Sequence, residues 1–380
     1  MKVPFFRHGL GRAELERLAK VLRGPILTTG AEVFEFERKF SKYLGIHDTV
    51  ACTSWTGAAH IVLIALGVGP GDEVITTPFT FVASALAILQ AGATPVFVDV
   101  ELGTGNLDAS LIEAAITRRT KAILPVHLYG QMADMKAIDR IARKHRLKVV
   151  EDAAHCVEGS RDGVRPGQLS DAVCFSFFAT KNLACGEGGA VSFRDPSLSK
   201  KLRLLRLHGM TKTSYDREKE GFKPWDVEIF GWKYNMDNLH AALLLPQLGK
   251  IQKNAARRRE RARWYRRGLQ DIPEIELFPA VPRSVHAHHL YPILVPARHR
   301  GIIVQKLREK GVETTVNYRP VHLLSYFRGQ PRWRRASFPV AEKLGERVLS
   351  LPLYPGLGKK ECDYVIRSLK RILQSLPAKS

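Results

Sequence analysis

Glu151-Asp152-Ala153-Ala154-His155, Phe175-Ser176-Phe177-Phe178-Ala179-Thr180-Lys181-Asn182 and Gly186-Glu187-Gly188-Gly189 are three pieces of one stretch, and their reading decides the fold. An acidic pair closes an apolar strand. After a polar loop a second apolar run ends in small residues and one lysine, and a glycine turn leads into a third strand. Ligands of open α/β sheets lie beyond the carboxyl ends of the strands, which is where Asp152 and Lys181 fall.

Outward from this stretch, strands and helices alternate. Strands are expected at Thr49 to Cys52, Glu73 to Thr76, Pro95 to Val100, Ala122 to His127, Leu147 to Asp152, Val173 to Phe177 and Ala190 to Phe193. Helices fill most of the intervals, for example Gly57 to Leu66, Phe81 to Gln90 and Met132 to Arg146. This βαβ rhythm predicts an α/β fold with a mainly parallel seven-stranded sheet covered on both faces. Upstream, Arg12 to Arg23 forms a helix, and Val33, Phe36, Phe40 and Tyr43 recur at helical spacing before Gly45 ends a second one.

Downstream, Leu202 to Phe230 is polar and irregular, with Gly209, Gly221 and Pro224, and a loop of that length is usually functional. Asp237 to Gly268 reads as one or two long helices. The strand at His289 to Val295 and the helices Ile302 to Lys310 and Lys360 to Leu376 make up a smaller α+β unit. Residues 1–250, the N-terminal segment included, are therefore expected in a large domain and 251–380 in a small C-terminal one.

Composition fits this picture: 380 residues, 45% of them hydrophobic, suffice for two globular units. No apolar run approaches the ~20 residues of a membrane span, and the first residues lack a signal-peptide core. The five cysteines are odd in number and form no CxxC pair, which points away from disulfides and zinc and toward a reducing cytoplasm. The charge is unusual: 59 basic against 37 acidic residues give +22. Such a field attracts anions. Much of it sits in the run from Lys253 to Arg267, which on a helix is basic nearly all round and reads as a solvated surface. With neither zinc-finger spacing nor an RNP-like segment, nucleic acid is a poor partner; peripheral association with an anionic membrane would suit the charge.

An aspartate and a buried lysine at strand ends meet two of the four demands of pyridoxal phosphate, which needs its phosphate held, its ring oriented, its nitrogen kept protonated and its aldehyde tethered. Asp152 is the partner of the ring nitrogen. A carboxylate ~4 Å from a pyridinium, at an effective dielectric of ~20, favours it by ~4 kcal/mol. Lys181, desolvated by Phe177, Phe178, Ala179 and Leu183, is the tethering amine and proton carrier. Ser54-Trp55-Thr56, between a strand end and a helix start, suits the phosphate, although its hydroxyls also read as plain helix caps. Ser176 is a second phosphate candidate. Phe81 is placed either to stack on the ring or to pack in the core, and His155 to sit against the ring.

With these residues in place, the chain resembles the DegT/DnrJ/EryC1/StrS family of sugar aminotransferases on the type I pyridoxal phosphate fold. The likeness runs through nearly the whole sequence, including Leu66-Gly67-Val68-Gly69-Pro70-Gly71-Asp72-Glu73, Gly92-Ala93-Thr94-Pro95-Val96-Phe97-Val98-Asp99 and Gly231-Trp232-Lys233-Tyr234-Asn235-Met236. His286-Ala287-His288-His289-Leu290 and Asn317-Tyr318-Arg319-Pro320-Val321-His322 resemble the subgroup that aminates UDP-linked 4-keto-pentoses. The resemblance implies an enzyme acting for cell-surface polysaccharide, lipid A or related glycans, with L-glutamate as donor. It also implies His155 near the cofactor phenolate, Asn235 reaching the phosphate from the second subunit of a homodimer, and Arg319 and His322 on the nucleotide-sugar. Trp55 departs from the family, which carries a small residue there, and Phe81 replaces a tryptophan of that subgroup. The competing reading is a regulatory protein of the same descent that binds DNA or membrane through its basic surface.

Overall fold

The structure is a computed structural model describing residues 1–220 and 224–377. All seven expected strands form one sheet: β1 (Asp48–Cys52), β2 (Glu73–Thr76), β3 (Thr94–Phe97), β4 (Thr120–Ile123), β5 (Lys148–Asp152), β6 (Ala172–Ser176) and β7 (Gly189–Phe193). Their order is β1-β7-β6-β5-β4-β2-β3. The neighbours are parallel except β7, which runs antiparallel to both β1 and β6. Every residue of β6 and β7 is buried, as expected for a sheet covered on both faces. The β5–β6 register pairs Asp152 with Cys174, so the acidic end of β5 lies beside the strand that ends at Ser176.

Helices α1 (Arg12–Leu22) and α2 (Ala31–Leu44) precede the sheet, and Gly45 closes α2 in the left-handed conformation with φ 70°. Between α2 and the sheet lies a buried ion pair. Glu37 Oε1 accepts from Arg206 Nη1 at 2.5 Å and from the Ala51 N–H at 2.8 Å, and both side chains are 3% exposed. We expect Arg206→Met to cost roughly 3 kcal/mol in urea denaturation, because it removes the buried partner of Glu37 and leaves only the more exposed Arg203, 3.4 Å from Oε2, to answer the carboxylate. Pairing it with Glu37→Leu should recover most of the loss. Equal stability of the single and double variants would contradict this.

A second sheet, β8 (Glu276–Leu277), β9 (Tyr291–Leu294) and β10 (Val348–Leu351), is antiparallel. It shares a core with α7 (Ile251–Leu269), α8 (Arg300–Glu309) and α9 (Lys359–Gln374), while α6 (Asn238–Leu248) stays with the large sheet. The two cores are tied together near both chain ends. Helices α1 and α2 pack with the large domain, but the first residues reach the second core: the Val3 N–H donates to Gly311 O at 2.8 Å, the Glu313 N–H donates to Val3 O at 3.0 Å, and the Val3 side chain is fully buried there. Conversely, Val321, Phe327 and Trp333, assigned to the small domain, pack on Ala85 and Phe97 of the large one.

The basic helix α7 is not solvated all round. Arg258 is 2% exposed, and its Nη1 donates to the carbonyls of His288, His289 and Leu353. In the irregular segment after Leu202, helices occupy Leu198–Leu205 and Ser214–Glu220. Gly221 lies outside the described residues.

Candidate active site

The acidic pair ending β5 divides by the alternation of a strand, which sends successive side chains to opposite faces. Glu151 is fully buried; its Oε1 accepts from the Gly167 N–H at 2.8 Å, and its Oε2 lies 2.6 Å from His127 Nε2. His127 Nδ1 accepts from the Ala133 N–H, which leaves Nε2–H to donate to Glu151. Glu151 is thus occupied in holding loops. Asp152 points to the other side, into a cavity of about 460 Å³ at the carboxyl ends of β1, β5 and β6.

Two donors orient Asp152: Ser84 Oγ donates to Oδ2 at 2.9 Å, and the Ala154 N–H donates to Oδ1 at 3.0 Å. Burial pushes its carboxyl up, against these bonds and the charge of Lys181. Asp152 has no ion pair among the described residues, so a cationic ring nitrogen would relieve that cost of burial. Lys181 lines the same cavity, and burial pushes its ammonium down to about 8, with Asp152 opposing. A minority of the amine, far more than for a free lysine, is therefore neutral and nucleophilic near physiological pH.

His155 Nδ1 accepts from the Tyr129 N–H at 3.2 Å, so the neutral ring carries its proton on Nε2. Burial, then Lys181, holds the imidazole well below its usual range. Nε2–H points to Tyr318 Oη at 3.2 Å, and the ring lies tilted against His289, at 36° with centroids 4.3 Å apart.

At the opposite wall, Ser54 caps the helix α3 (Trp55–Ala65), its Oγ accepting from the Gly57 N–H at 3.0 Å. The plain-cap reading therefore holds for this oxygen. The first-turn N–H groups of Trp55 and Thr56 have no partner inside the helix, which suits an anion. The Trp55 side chain, 6% exposed, lines the cavity with an unpartnered Nε1–H. Gly189 lets this turn lie on the start of β7: a Cβ there would come within 2.3 Å of Ser54 C and 2.4 Å of Trp55 N.

The cavity thus gathers Ser54, Trp55, Thr56, Phe81, Asp152, His155, Ser176 and Lys181. Phe81 precedes helix α4 (Ala83–Gln90) and is 57% exposed, its ring 6.0 Å from that of Tyr318, so it belongs to the cavity rim and not to the core. Ser176 Oγ accepts from the Phe178 N–H at 3.3 Å and keeps its own proton free to donate. Together these groups fit pyridoxal phosphate: oxyanion donors at one end, a buried carboxylate and a partly neutral amine at the other.

Three expected residues lie elsewhere. Asn235 is bound to Thr29 Oγ1 at 2.7 Å and Lys233 Nζ at 2.5 Å, beside Thr28 and Thr53 and outside this cavity. Arg319 is exposed and does not line it. His322 is 1% exposed, with Nε2 3.0 Å from Glu342 Oε1 and its ring edge-on to Phe338, which makes it an internal strut. The cavity takes Asn317 and Tyr318 from the same segment instead. Ser84, Tyr129, His289 and Tyr318 were missed. Tyr318 and His289 carried a signal, one as a neighbour of Arg319 and the other within the run His286-Ala287-His288-His289-Leu290.

The family model of the DegT/DnrJ/EryC1/StrS aminotransferase family matches residues 9–370. The chain is 40% identical over 379 residues to the spore coat polysaccharide biosynthesis protein SpsC of Bacillus subtilis, covering 98% of this chain and 97% of SpsC. Among solved structures it is similar to the aminotransferase TlmJ from Streptoalloteichus hindustanus, with a TM-score of 0.92, 32% identity and coverage of 99% and 100% of the two chains. NtdA from Bacillus subtilis with bound cofactor PMP is similar at a TM-score of 0.88 and 34% identity, covering 98% of this chain and 86% of NtdA.

Proposed function

The chain belongs to the DegT/DnrJ/EryC1/StrS aminotransferase family, whose members are pyridoxal phosphate-dependent sugar aminotransferases, and on that premise we propose that it moves an amino group from L-glutamate onto the keto carbon of a nucleotide-linked sugar. A UDP-linked 4-keto-pentose is the acceptor best supported by the motifs around His286 and Asn317. The observation that carries the reading is the convergence of a partly neutral Lys181 and a buried Asp152 without a counter-cation on one cavity. The similarity to SpsC supports a glycan as destination.

Bound there, the cofactor supplies an electron sink for the carbanion formed when an amino acid loses its α-proton. Lys181 is the residue that tethers it and then carries the proton between substrate and cofactor carbons. Asp152, fixed by Ser84 and Ala154, keeps a cationic ring nitrogen in place. His155 would sit beside the ring, held in place by the Tyr129 N–H on Nδ1 and by Tyr318 Oη on Nε2–H. The first turn of α3 and Ser176 would hold the phosphate. Phe81, at the rim, orients the ring and the incoming sugar.

Because the reactive form of Lys181 is the free amine, capture of pyridoxal phosphate by the apoprotein should speed up as pH rises, with a midpoint of about 8. Borohydride trapping at each pH, followed by peptide mapping, measures this; a rate independent of pH would contradict it. The sugar assignment is tested by offering nucleotide keto-sugars to the aminated cofactor form and detecting the amino-sugar by mass spectrometry. Amination of free keto-sugars alone would sink the nucleotide-linked reading.

The position of Asn235 and Lys233 outside their own chain's cavity supports a two-fold dimer in which they complete the partner's site. Mixing Lys181→Ala and Asn235→Ala proteins after subunit exchange should then restore about a quarter of wild-type activity, since half the dimers would hold one intact site. No recovery in exchanged dimers would remove the shared-site reading.

A further inference from the structure

A second and larger cavity, of about 680 Å³, opens between the two cores on the far side of Tyr129 and Leu290 from Lys181. Leu290 lines both cavities. One wall is the face of α7 carrying Arg259, Arg263 and Arg266, residues four and three apart that fall on one side of a helix. Arg165 adds a fourth guanidinium from the large domain. Glu158 is the one carboxylate among the lining residues, and it is engaged by Asn182 Nδ2 at 3.1 and 3.2 Å. The opposite wall is apolar, formed by Leu277, Phe278, Pro279 and Val281.

The cations are not used elsewhere to the same extent. Arg165 Nη1 donates to Tyr43 O and lies over the Tyr43 ring, and Arg266 Nη2 donates to Phe278 O. Among the described residues Arg259 and Arg263 make neither an ion pair nor a hydrogen bond, although other basic residues of the same helix, Arg258 and Arg261, are bonded to backbone carbonyls. Tyr291 also lines it and is 7% exposed, and among the described residues its buried hydroxyl has no hydrogen-bond partner. Arg263 and Arg266 face solvent at the mouth, Arg259 lies deeper and feels the charge of Glu158, and the net positive field of the four guanidinium groups favours an anion.

We infer that this interdomain cavity is an accessory binding site for a small organic anion, with a phosphate or carboxylate head on Arg259 and Arg263 and an apolar body against Phe278 and Leu277. Guanidinium forks match planar and tetrahedral oxyanions with paired hydrogen bonds. The volume lies within the range of ordinary small-molecule sites. The site adjoins the catalytic one: His288 lines it, and the next residue, His289, lies against His155.

The test uses the full-length holoenzyme with its cofactor fixed on the protein by borohydride, so that the catalytic cavity is filled. Titration with the fluorescent anion anilinonaphthalene sulfonate should show saturable binding at one site per chain. Arg259→Ser with Arg263→Ser should weaken it at least tenfold, the paired lysine variant should retain most of it, and the cofactor absorbance should be unchanged in both. Displacement by uridine monophosphate would mark a phosphorylated ligand, and displacement by octanoate a carboxylate with an aliphatic body. Equal affinity in the wild type and the serine pair, absence of saturable binding, or displacement by neither competitor would overturn the inference.

Discussion

Lys181→Ala should fold with wild-type stability, hold pyridoxal phosphate without a covalent bond, and lose at least about 10³-fold in aminotransfer, the upper range for removing a general acid–base. The side chain has no hydrogen bond to a neighbour, so its removal should not disturb the sheet; burial, which holds its amine down to about 8, is a cost that alanine removes. Absorbance of the loaded variant should shift from the lysine-bound to the free-aldehyde form. A regulatory protein would behave differently: it would keep salt-dependent binding to DNA or anionic vesicles in this variant and show no amino transfer in the parent. Retention of wild-type turnover by Lys181→Ala would end the enzymatic account as built on this residue.

Asp152→Asn should lower activity by about 10³-fold and weaken retention of the cofactor, while changing stability little. The neutral amide removes the charge that favours a cationic ring nitrogen by about 4 kcal/mol, close to a thousandfold in protonation or in rate. The replacement keeps the shape of the side chain, and its oxygen can still accept from Ala154. Two neighbours sharpen the result. Ser84→Ala removes only one of the two orienting donors, and we expect a loss of about tenfold. Glu151→Gln lies on the opposite face and weakens the buried bond to His127, so it should lower stability with turnover of the folded protein unchanged. If Glu151→Gln were the more damaging to catalysis, the assignment of the two carboxylates would be reversed. Steady-state kinetics and urea denaturation on the same four proteins measure all of this.

Much of the centre of the molecule was legible because its signals are local. The seven large-sheet strands are apolar runs bounded by glycines and polar turns, and each formed within a few residues of its expected limits. Asp152 and Lys181 could be read because strand ends in a parallel sheet share one edge. Contributions from distant segments were not legible in the same way. Val3 belongs to the second core through two backbone hydrogen bonds, and six N-terminal residues are too few to show a period. Glu276–Leu277 is too short to stand out as a strand. The basic run from Lys253 to Arg267 gave no sign that Arg258 is capped by three carbonyls, because those carbonyls come from residues far along the chain. His322, expected on the substrate from the family resemblance, is enclosed in this chain by Glu342 and Phe338. Tyr318, four residues earlier, is the group the fold turns into the cavity.

Trp55 and Phe81, the departures from the family pattern, both line the cavity, one buried at the phosphate turn and the other exposed at the rim.

The most direct measurement of the central claim is the visible spectrum of the cofactor-loaded protein during addition of L-glutamate. The account predicts that the lysine-bound absorbance falls as the amino group moves to the cofactor, and that it returns when a UDP-linked 4-keto-pentose is supplied. A loaded protein whose spectrum is unchanged by glutamate, and equally by glutamine, would contradict it.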